Sequence, residues 1–235
     1  MPHRNKPYLN KVILLFVLWI ISPTSIGSIS ANQCYETRAI FDIGSYTTTV
    51  IVAKVDQCKK RINKVLFNKK ISTPYREHIL GNKNNKMSKK FQVKGIKTIL
   101  KLKRQAKLFK PKNFVAIISP TITRSPTGGP FINLIEKHTK VKVLITEPKE
   151  LSEMAYLASL EQLTKLRSKF PDVRNILVWD IGAADMKMVT KDTKDKFIFY
   201  TDNIASVTFK NWILESLKKI KPSKKKISPN PIGKK

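Results

Sequence analysis

Two short stretches hold the residue types that could do chemistry on phosphate. "FDIGSYTTTVIV" runs from Phe41 to Val52, and "WDIGAADMKMVT" from Trp179 to Thr190. Each reads as an apolar residue, Asp, Ile, Gly, a short turn and then a β-prone run. Gly44 and Gly182 let the backbone pass close to a ligand and aim N–H groups at it. Ser45, Thr47, Thr48 and Thr49 add hydroxyl donors for phosphate oxygens. Asp42 and Asp180 each end an apolar run beside such a turn, and carboxylates there suit a divalent cation. The competing reading makes both stretches ordinary hairpins with Asp and Gly as turn formers. One Asp-Ile-Gly would not displace it. Two favour a pair of phosphate-gripping hairpins, one in each half of a duplicated fold.

The elements that must position these turns follow from the hydrophobic pattern. Strand-like runs cover Thr37–Ile43, Thr47–Val55 and Asn63–Ser72, and a polar loop follows around "GNKNNKMSKK". A basic amphipathic helix is expected over Lys90–Phe109, with Ile96, Ile99, Leu100, Leu102 and Ala106 apolar and Pro111 as its stop. Asn113–Ser119 reads as a buried strand. After the loop "PTITRSPTGGP" come a helix over Phe131–His138, a strand over Lys140–Thr146 and a long helix over Lys149–Lys169. Three strands joined by tight turns span "NILVWDIGAADMKMVTKD" and "KFIFYTDNIA", with Trp179 read as a core residue. A last helix covers Val207–Ile220, ahead of a Pro/Lys tail. A three-strand meander followed by alternating helices and strands is α/β with a mixed sheet.

Composition bounds the partners. The chain has 235 residues, 46 Lys plus Arg and 16 Asp plus Glu, for a net charge of +30 and a pI near 10.2. Such a charge favours a polyanion, although lysines spread over solvated faces would produce the same total. Residues 1–31 have a basic start, the ten apolar residues "VILLFVLWII" and a small, polar exit. Ten apolar residues are too few to cross a bilayer, and the pattern is that of a signal peptide cut after Ser30 or Ala31. The protein is therefore expected to be exported, periplasmic or secreted. Cleavage removes Arg4, Lys6 and Lys11 and no acid, lowering the charge to +27. Cys34 and Cys58 lie symmetrically about Tyr46, so a hairpin turning there would bring them face to face. A disulfide is expected if the register holds. No phosphate-binding G-x-x-x-x-G-K-[ST] loop or G-x-S-x-G elbow occurs. His3, His78 and His138 are scattered, and no recognised nucleic-acid motif accompanies the charge.

At these residues the sequence resembles the exopolyphosphatase/guanosine pentaphosphate phosphatase (Ppx/GppA) family of the actin–hexokinase superfamily. Asp42-Ile43-Gly44-Ser45-Tyr46-Thr47 is similar to its first signature, D-[IL]-G-S-N-S. "SPTITRSPTG" matches in part a Thr-rich turn that leads to an arginine, here Arg124. "LITEPKELSEMAYLA" is similar to I-S-G-x-E-E-A, and Asp180 to Lys187 line up with D-I-G-G-G-S-T-E. "DNIASVTF" resembles the segment beyond. The resemblance runs from about Ala39 to Leu217. It implies an actin-like, ribonuclease-H-like fold, with a mixed five-stranded sheet in lobe one (35–145) and a partial, truncated lobe two (146–220). A basic tail covers 221–235.

By the same resemblance the activity is phosphoanhydride hydrolysis on polyphosphate or a phosphorylated guanosine nucleotide. Asp42 and Asp180 would hold Mg²⁺, and Gly44, Ser45, Arg124 and Gly182 would hold phosphate. Glu150 would activate the attacking water, with Glu147 and Glu153 as neighbouring candidates. Two departures stand out. Ala183 and Ala184 replace glycines of the fourth motif, and Lys187 stands where that motif closes on glutamate. Turnover is therefore expected to be impaired. A non-catalytic, exported relative that binds polyanions is the alternative, and a remnant without independent function a third reading. Other polyanions, a homodimer, and a partner chain that completes the second lobe are left open.

Overall fold

The computed structural model describes residues 34–165, 176–220, 228 and 230. The expected signal peptide and nearly all of the expected basic tail lie outside the described residues, as do residues 166–169 of the expected long helix.

Contacts divide the chain into two compact units, Met1–Val173 and Arg174–Lys235. The first contains β1 (Tyr35–Ile43), β2 (Thr47–Asp56), β3 (Arg61–Ser72), α1 (Tyr75–Leu80), α2 (Lys89–Ala106), β4 (Phe114–Ile118), α3 (Pro120–Thr123), α4 (Gly128–Thr139), β5 (Lys142–Leu144) and α5 (Pro148–Lys165). Its sheet has the order β3-β2-β1-β4-β5. β1 pairs antiparallel with β2 and parallel with β4, β2 is antiparallel to β3, and β4 is parallel to β5. This is the mixed five-stranded sheet expected.

β1 carries apolar residues on both faces, at Ala39, Ile40, Phe41 and Ile43, because both of its faces are covered. Phe41 and Ile43 point into a core with Tyr75, Ile99, Leu102 and Phe131, from α1, α2 and α4. Ile40 points the other way, into a cluster with Ile51 and Val55 against which Leu151 and Met154 of α5 pack. The contact division therefore puts α5 with the first sheet, whereas the reading of the sequence began lobe two at residue 146. Full burial of side chains such as these contributes about 1.5–3 kcal/mol each.

Helix ends are set by local chemistry. The Ser88 side chain accepts from the Phe91 N–H and starts α2, and Lys103 and Arg104 occupy its last turn, where cations meet the negative end of the helix dipole. A single 3₁₀ turn, Lys107–Phe109, then carries the chain to Lys110 in the left-handed region. Two short helices were not expected: α1 falls between the third strand and the polar loop, and α3 takes the start of the loop "PTITRSPTGGP". α1 follows Pro74, and α3 has Pro120 in its first turn with Ser119 as its N-cap. Both are too short to show a helical period in the sequence.

The second unit contains β6 (Val178–Ile181), β7 (Met186–Lys191), β8 (Phe197–Asp202) and α6 (Ser206–Trp212), which runs on into a π-helical turn, Ile213–Leu217. The three strands form an antiparallel meander. β6 is not the buried strand expected: Val178 and Asp180 are half-buried, but Ile181 is exposed and Trp179 is 59% exposed. The core role read for Trp179 is corrected accordingly. Its indole N–H donates to the Met186 sulfur at 3.4 Å.

Cys34 and Cys58 form a disulfide, with Cα atoms 5.3 Å apart. The geometry that brings them together is not the symmetric one. Tyr35 faces Asp56, so the ladder places Cys34 opposite Gln57, whose N–H donates to the Cys34 carbonyl at 2.7 Å. The hairpin turns between Ser45 and Tyr46, half a residue short of the cysteines' midpoint. Cys58 lies in the tight turn before β3, and that bend returns its sulfur to Cys34.

Candidate functional site

In the first unit the β1–β2 hairpin closes through the Gly44 N–H, which donates to the Thr47 carbonyl at 2.9 Å. Ile43 then faces Thr48, and Asp42 faces Thr49. The segment entering α1 holds this turn from behind. The Thr73 N–H donates to the Tyr46 carbonyl and the Arg76 N–H to the Ser45 carbonyl, both at 2.9 Å. The turn's carbonyls are thus occupied, while the Ser45 and Tyr46 N–H groups lie outside the ladder. Gly44 leaves little room for a side chain: a Cβ there would stand 3.3 Å from the Thr47 carbonyl oxygen, close enough that the turn would have to give by a few tenths of an ångström.

Hydroxyls from a second loop meet the first. Ser45 Oγ lies 2.8 Å from Ser119 Oγ and donates to Thr121 Oγ1 at 3.1 Å. Ser119 follows β4 and also accepts from the Thr121 N–H at 3.3 Å. Three hydroxyls therefore gather at the carboxyl ends of the neighbouring parallel strands β1 and β4. Ligands of open α/β sheets bind outside the carboxyl ends of the strands. Ser119 and Thr121 were not among the expected site residues. Their signal was a Ser-Pro-Thr directly after a buried strand, the start of an N-capped helix. Burial pushes the Tyr46 phenol up to about 12, with Glu77 adding to the rise and Arg76 opposing it. This turn therefore carries no phenolate at neutral pH.

Of the expected site residues in this unit, Asp42, Gly44 and Ser45 share one turn, with Asp42 half-buried. Arg124 caps the C-terminus of α3, on the loop that carries Ser119 and Thr121, and its side chain is exposed. Glu150 stands at the start of α5, also exposed. Its Oε2 accepts from the Glu147 N–H at 3.1 Å, as a glutamate does in the third position of a capped helix.

The second unit repeats the turn. The Gly182 N–H donates to the Asp185 carbonyl at 2.9 Å, Ile181 faces Met186, and Asp180 faces Lys187. Closure and spacing match those at Gly44. A helix N-terminus again holds the turn from behind: the Ser206 N–H donates to the Gly182 carbonyl at 3.3 Å, and the Val207 N–H to the Ala183 carbonyl at 3.0 Å. The difference is charge. Lys187 occupies the position directly across from the aspartate, where the first hairpin has Thr49. Its ammonium lies 3.2 Å from Asp185 Oδ1 and 3.9 Å from Asp180 Oδ2, with the lysine side chain 13% exposed.

These donors do not fit a divalent cation. Asp180 faces an ammonium that already neutralises it, and Asp42 offers one carboxylate among hydroxyls. Among the described residues the one cluster with metal-ligand spacing is Cys34, Asp56 and Cys58, and the disulfide consumes both of its thiols.

No protein-family model matches the chain, and no curated protein matches its sequence. Solved structures do match. A Ppx/GppA family member from Aquifex aeolicus is similar with a TM-score of 0.62 at 17% identity, over 77% of this chain and 54% of its own. An exopolyphosphatase from Cytophaga hutchinsonii gives a TM-score of 0.55 at 14% identity, over 72% of this chain and 51% of its own. An exopolyphosphatase-like protein gives 0.60 at 15%, over 78% and 54%. The chain spans about half the length of these structures. At such identities the likeness shows the fold, which is α/β and actin-like as expected.

Proposed function

We propose that this chain is a phosphate-binding protein of the exopolyphosphatase type, a phosphoanhydride hydrolase with impaired turnover. Its substrate would be polyphosphate or a phosphorylated guanosine nucleotide. One observation carries the reading: two Asp-Ile-Gly hairpins with the same closure and register, the first joined by the hydroxyls of Ser119 and Thr121. The names of the similar solved structures support it.

In this reading, the N–H groups of Ser45 and Tyr46 and the hydroxyls of Ser45, Ser119 and Thr121 hold the non-bridging oxygens of a phosphoryl group. Arg124 adds a positive charge that offsets the charge developing in the transition state. Glu150 takes the proton of the attacking water. Impairment follows from Lys187, which spends the Asp180 carboxylate on an ion pair. Mg²⁺ would supply Lewis-acid charge neutralisation in such a hydrolase, and Lys187 opposes its binding here. Export of the chain after cleavage near Ala31 is part of the proposal.

Phosphate release from polyphosphate in the presence of Mg²⁺, measured on purified protein from Asn32 onward, tests the reading. The expected rate is low or absent for the parent and higher for Lys187→Glu. Robust turnover by the parent, lost in Lys187→Glu, would overturn it.

A further inference from the structure

The base of the β1–β2 hairpin gathers three side chains of metal-ligand type that the phosphate chemistry does not use. β2 ends on Asp56, which faces Tyr35, and the Gln57 N–H donates to the Cys34 carbonyl at 2.7 Å. This register brings Cys34, Asp56 and Cys58 together, with the two sulfurs and a carboxylate oxygen all within 4.8 Å of one another. The Asp56 carboxylate is buried, its side chain 3% exposed. One oxygen is held in place: Oδ1 accepts from the Lys59 N–H at 3.0 Å. The other, Oδ2, faces Arg61 Nε at 3.8 Å, longer than a hydrogen bond. A buried carboxylate is costly unless a charge meets it closely. Cys58 is exposed and Cys34 half-buried, so the disulfide can be reached from the Cys58 side.

We infer that the hairpin base is a redox-gated zinc site, closed as a disulfide when oxidised and holding Zn²⁺ through Cys34, Cys58 and Asp56 when reduced. Opening it takes two electrons from a thiol reductant. A thiolate attacks the Cys58 sulfur, Cys34 leaves as a thiolate, and a second thiol frees Cys58, so the reductant departs as a disulfide. Zn²⁺ then binds both sulfurs as thiolates, and their protons pass to solvent. Two thiolates and a carboxylate suit zinc, and three protein ligands leave the fourth tetrahedral position to water. The Lys59 N–H supplies the hydrogen bond that orients a ligating carboxylate. The charges also match. Three anionic ligands around a divalent ion leave one negative charge, and Lys59, Lys60 and Arg61 follow Cys58 directly. A covalent or a metal clamp therefore holds the hairpin base in either redox state. The site lies at the opposite end of β1 and β2 from the Asp42–Thr49 turn, so it stands independently of the reading under Proposed function.

The test titrates Zn²⁺, and Co²⁺ as its coloured substitute, into protein reduced by a phosphine, which adds no competing thiol. Reduced parent should take up one equivalent, and Co²⁺ should give thiolate-to-metal charge-transfer absorption that oxidised protein lacks. Zinc at a hundredfold excess over its Kd should raise the folded-to-unfolded ratio of reduced protein about 100-fold and leave that of oxidised protein unchanged. Uptake without this rise would place the metal on the unfolded chain and overturn the inference, as would equal uptake by oxidised protein. Asp56→Asn keeps the shape and still accepts from the Lys59 N–H. It should weaken Zn²⁺ binding at least roughly tenfold, since outer-shell losses alone cost that much. Undiminished affinity would reduce the site to a pair of thiolates and overturn the assignment. Cys58→Ser, at an exposed position, tests the same site whether or not Asp56→Asn folds. It should bind Zn²⁺ at least roughly 100-fold more weakly, and retained affinity would equally overturn the site.

Discussion

Lys187 is the residue whose replacement should change the second hairpin most. Its ammonium stands 3.2 Å from one carboxylate and 3.9 Å from the other, at the place a cation would need. Lys187→Met keeps the aliphatic stem and removes the charge. Two unit charges about 4 Å apart interact by ~1 kcal/mol in water and ~4 kcal/mol at an effective dielectric of 20. The side chains of Asp180 and Asp185 are 29% and 30% exposed and that of Lys187 13%, so the water-like figure is the lower bound. For a divalent ion the repulsion doubles, to at least about 2 kcal/mol, which is at least roughly a 30-fold change in Kd. Calorimetric titration of Mg²⁺ into parent and Lys187→Met reads this directly. Binding that is equally weak in both proteins would refute the claim that the lysine, and not the donor geometry, keeps the cation out.

Other changes have expected outcomes of their own. The disulfide should appear in exported protein that begins near Asn32, and reducing it should cost roughly 3 kcal/mol of stability; intact mass showing two free thiols would end that expectation. Ile99→Ala, deep in the first core, should cost about 2–5 kcal/mol in denaturant unfolding. Ser45→Ala should weaken tripolyphosphate binding by about 1 kcal/mol, a single hydrogen bond's worth, with little effect on the unfolding midpoint. Burial pushes the phenols of both Tyr46 and Tyr75 up to about 12. A raised folded-state pKa stabilises fully below the unfolded value near 10 and is lost as pH rises toward 12. Parent protein should therefore lose stability across pH 10–12 relative to Tyr46→Phe/Tyr75→Phe, and parallel stability curves would show that burial does not hold these phenols neutral.

The sheet was legible because its strands carry strong signals. Phe41, Ile43, Val50 and Val52 lie in runs rich in β-branched and aromatic residues, broken only by Asp42 and the turn, and α2 shows a clear 3.6-residue stripe. The paired turns were legible because glycine and aspartate recur at the same spacing after an apolar residue. α1 and α3 were not, being one to two turns long and defined by hydrogen bonds to distant backbone, such as Arg76 to Ser45. Ser119 and Thr121 escaped for a related reason: their partner, Ser45, lies more than 70 residues away, and only the parallel pairing of β1 with β4 brings them together. Trp179 misled because an apolar run looks the same in a core strand as in a three-stranded sheet with an exposed face. The disulfide was anticipated for an inexact reason, since symmetry about Tyr46 ignores the bend at Cys58 that closes it.

In the function proposed above, the turn from Asp42 to Thr49, with Ser119 and Thr121, grips phosphate through specific groups and not through bulk charge. Amide NMR of labelled protein titrated with tripolyphosphate at high salt tests it most directly, because salt suppresses the counterion-driven component. Saturable shifts are expected at the Gly44, Ser45, Tyr46 and Thr121 amides, lost in Gly44→Val. Shifts confined to the lysines of α2, or none at these four amides, would contradict it.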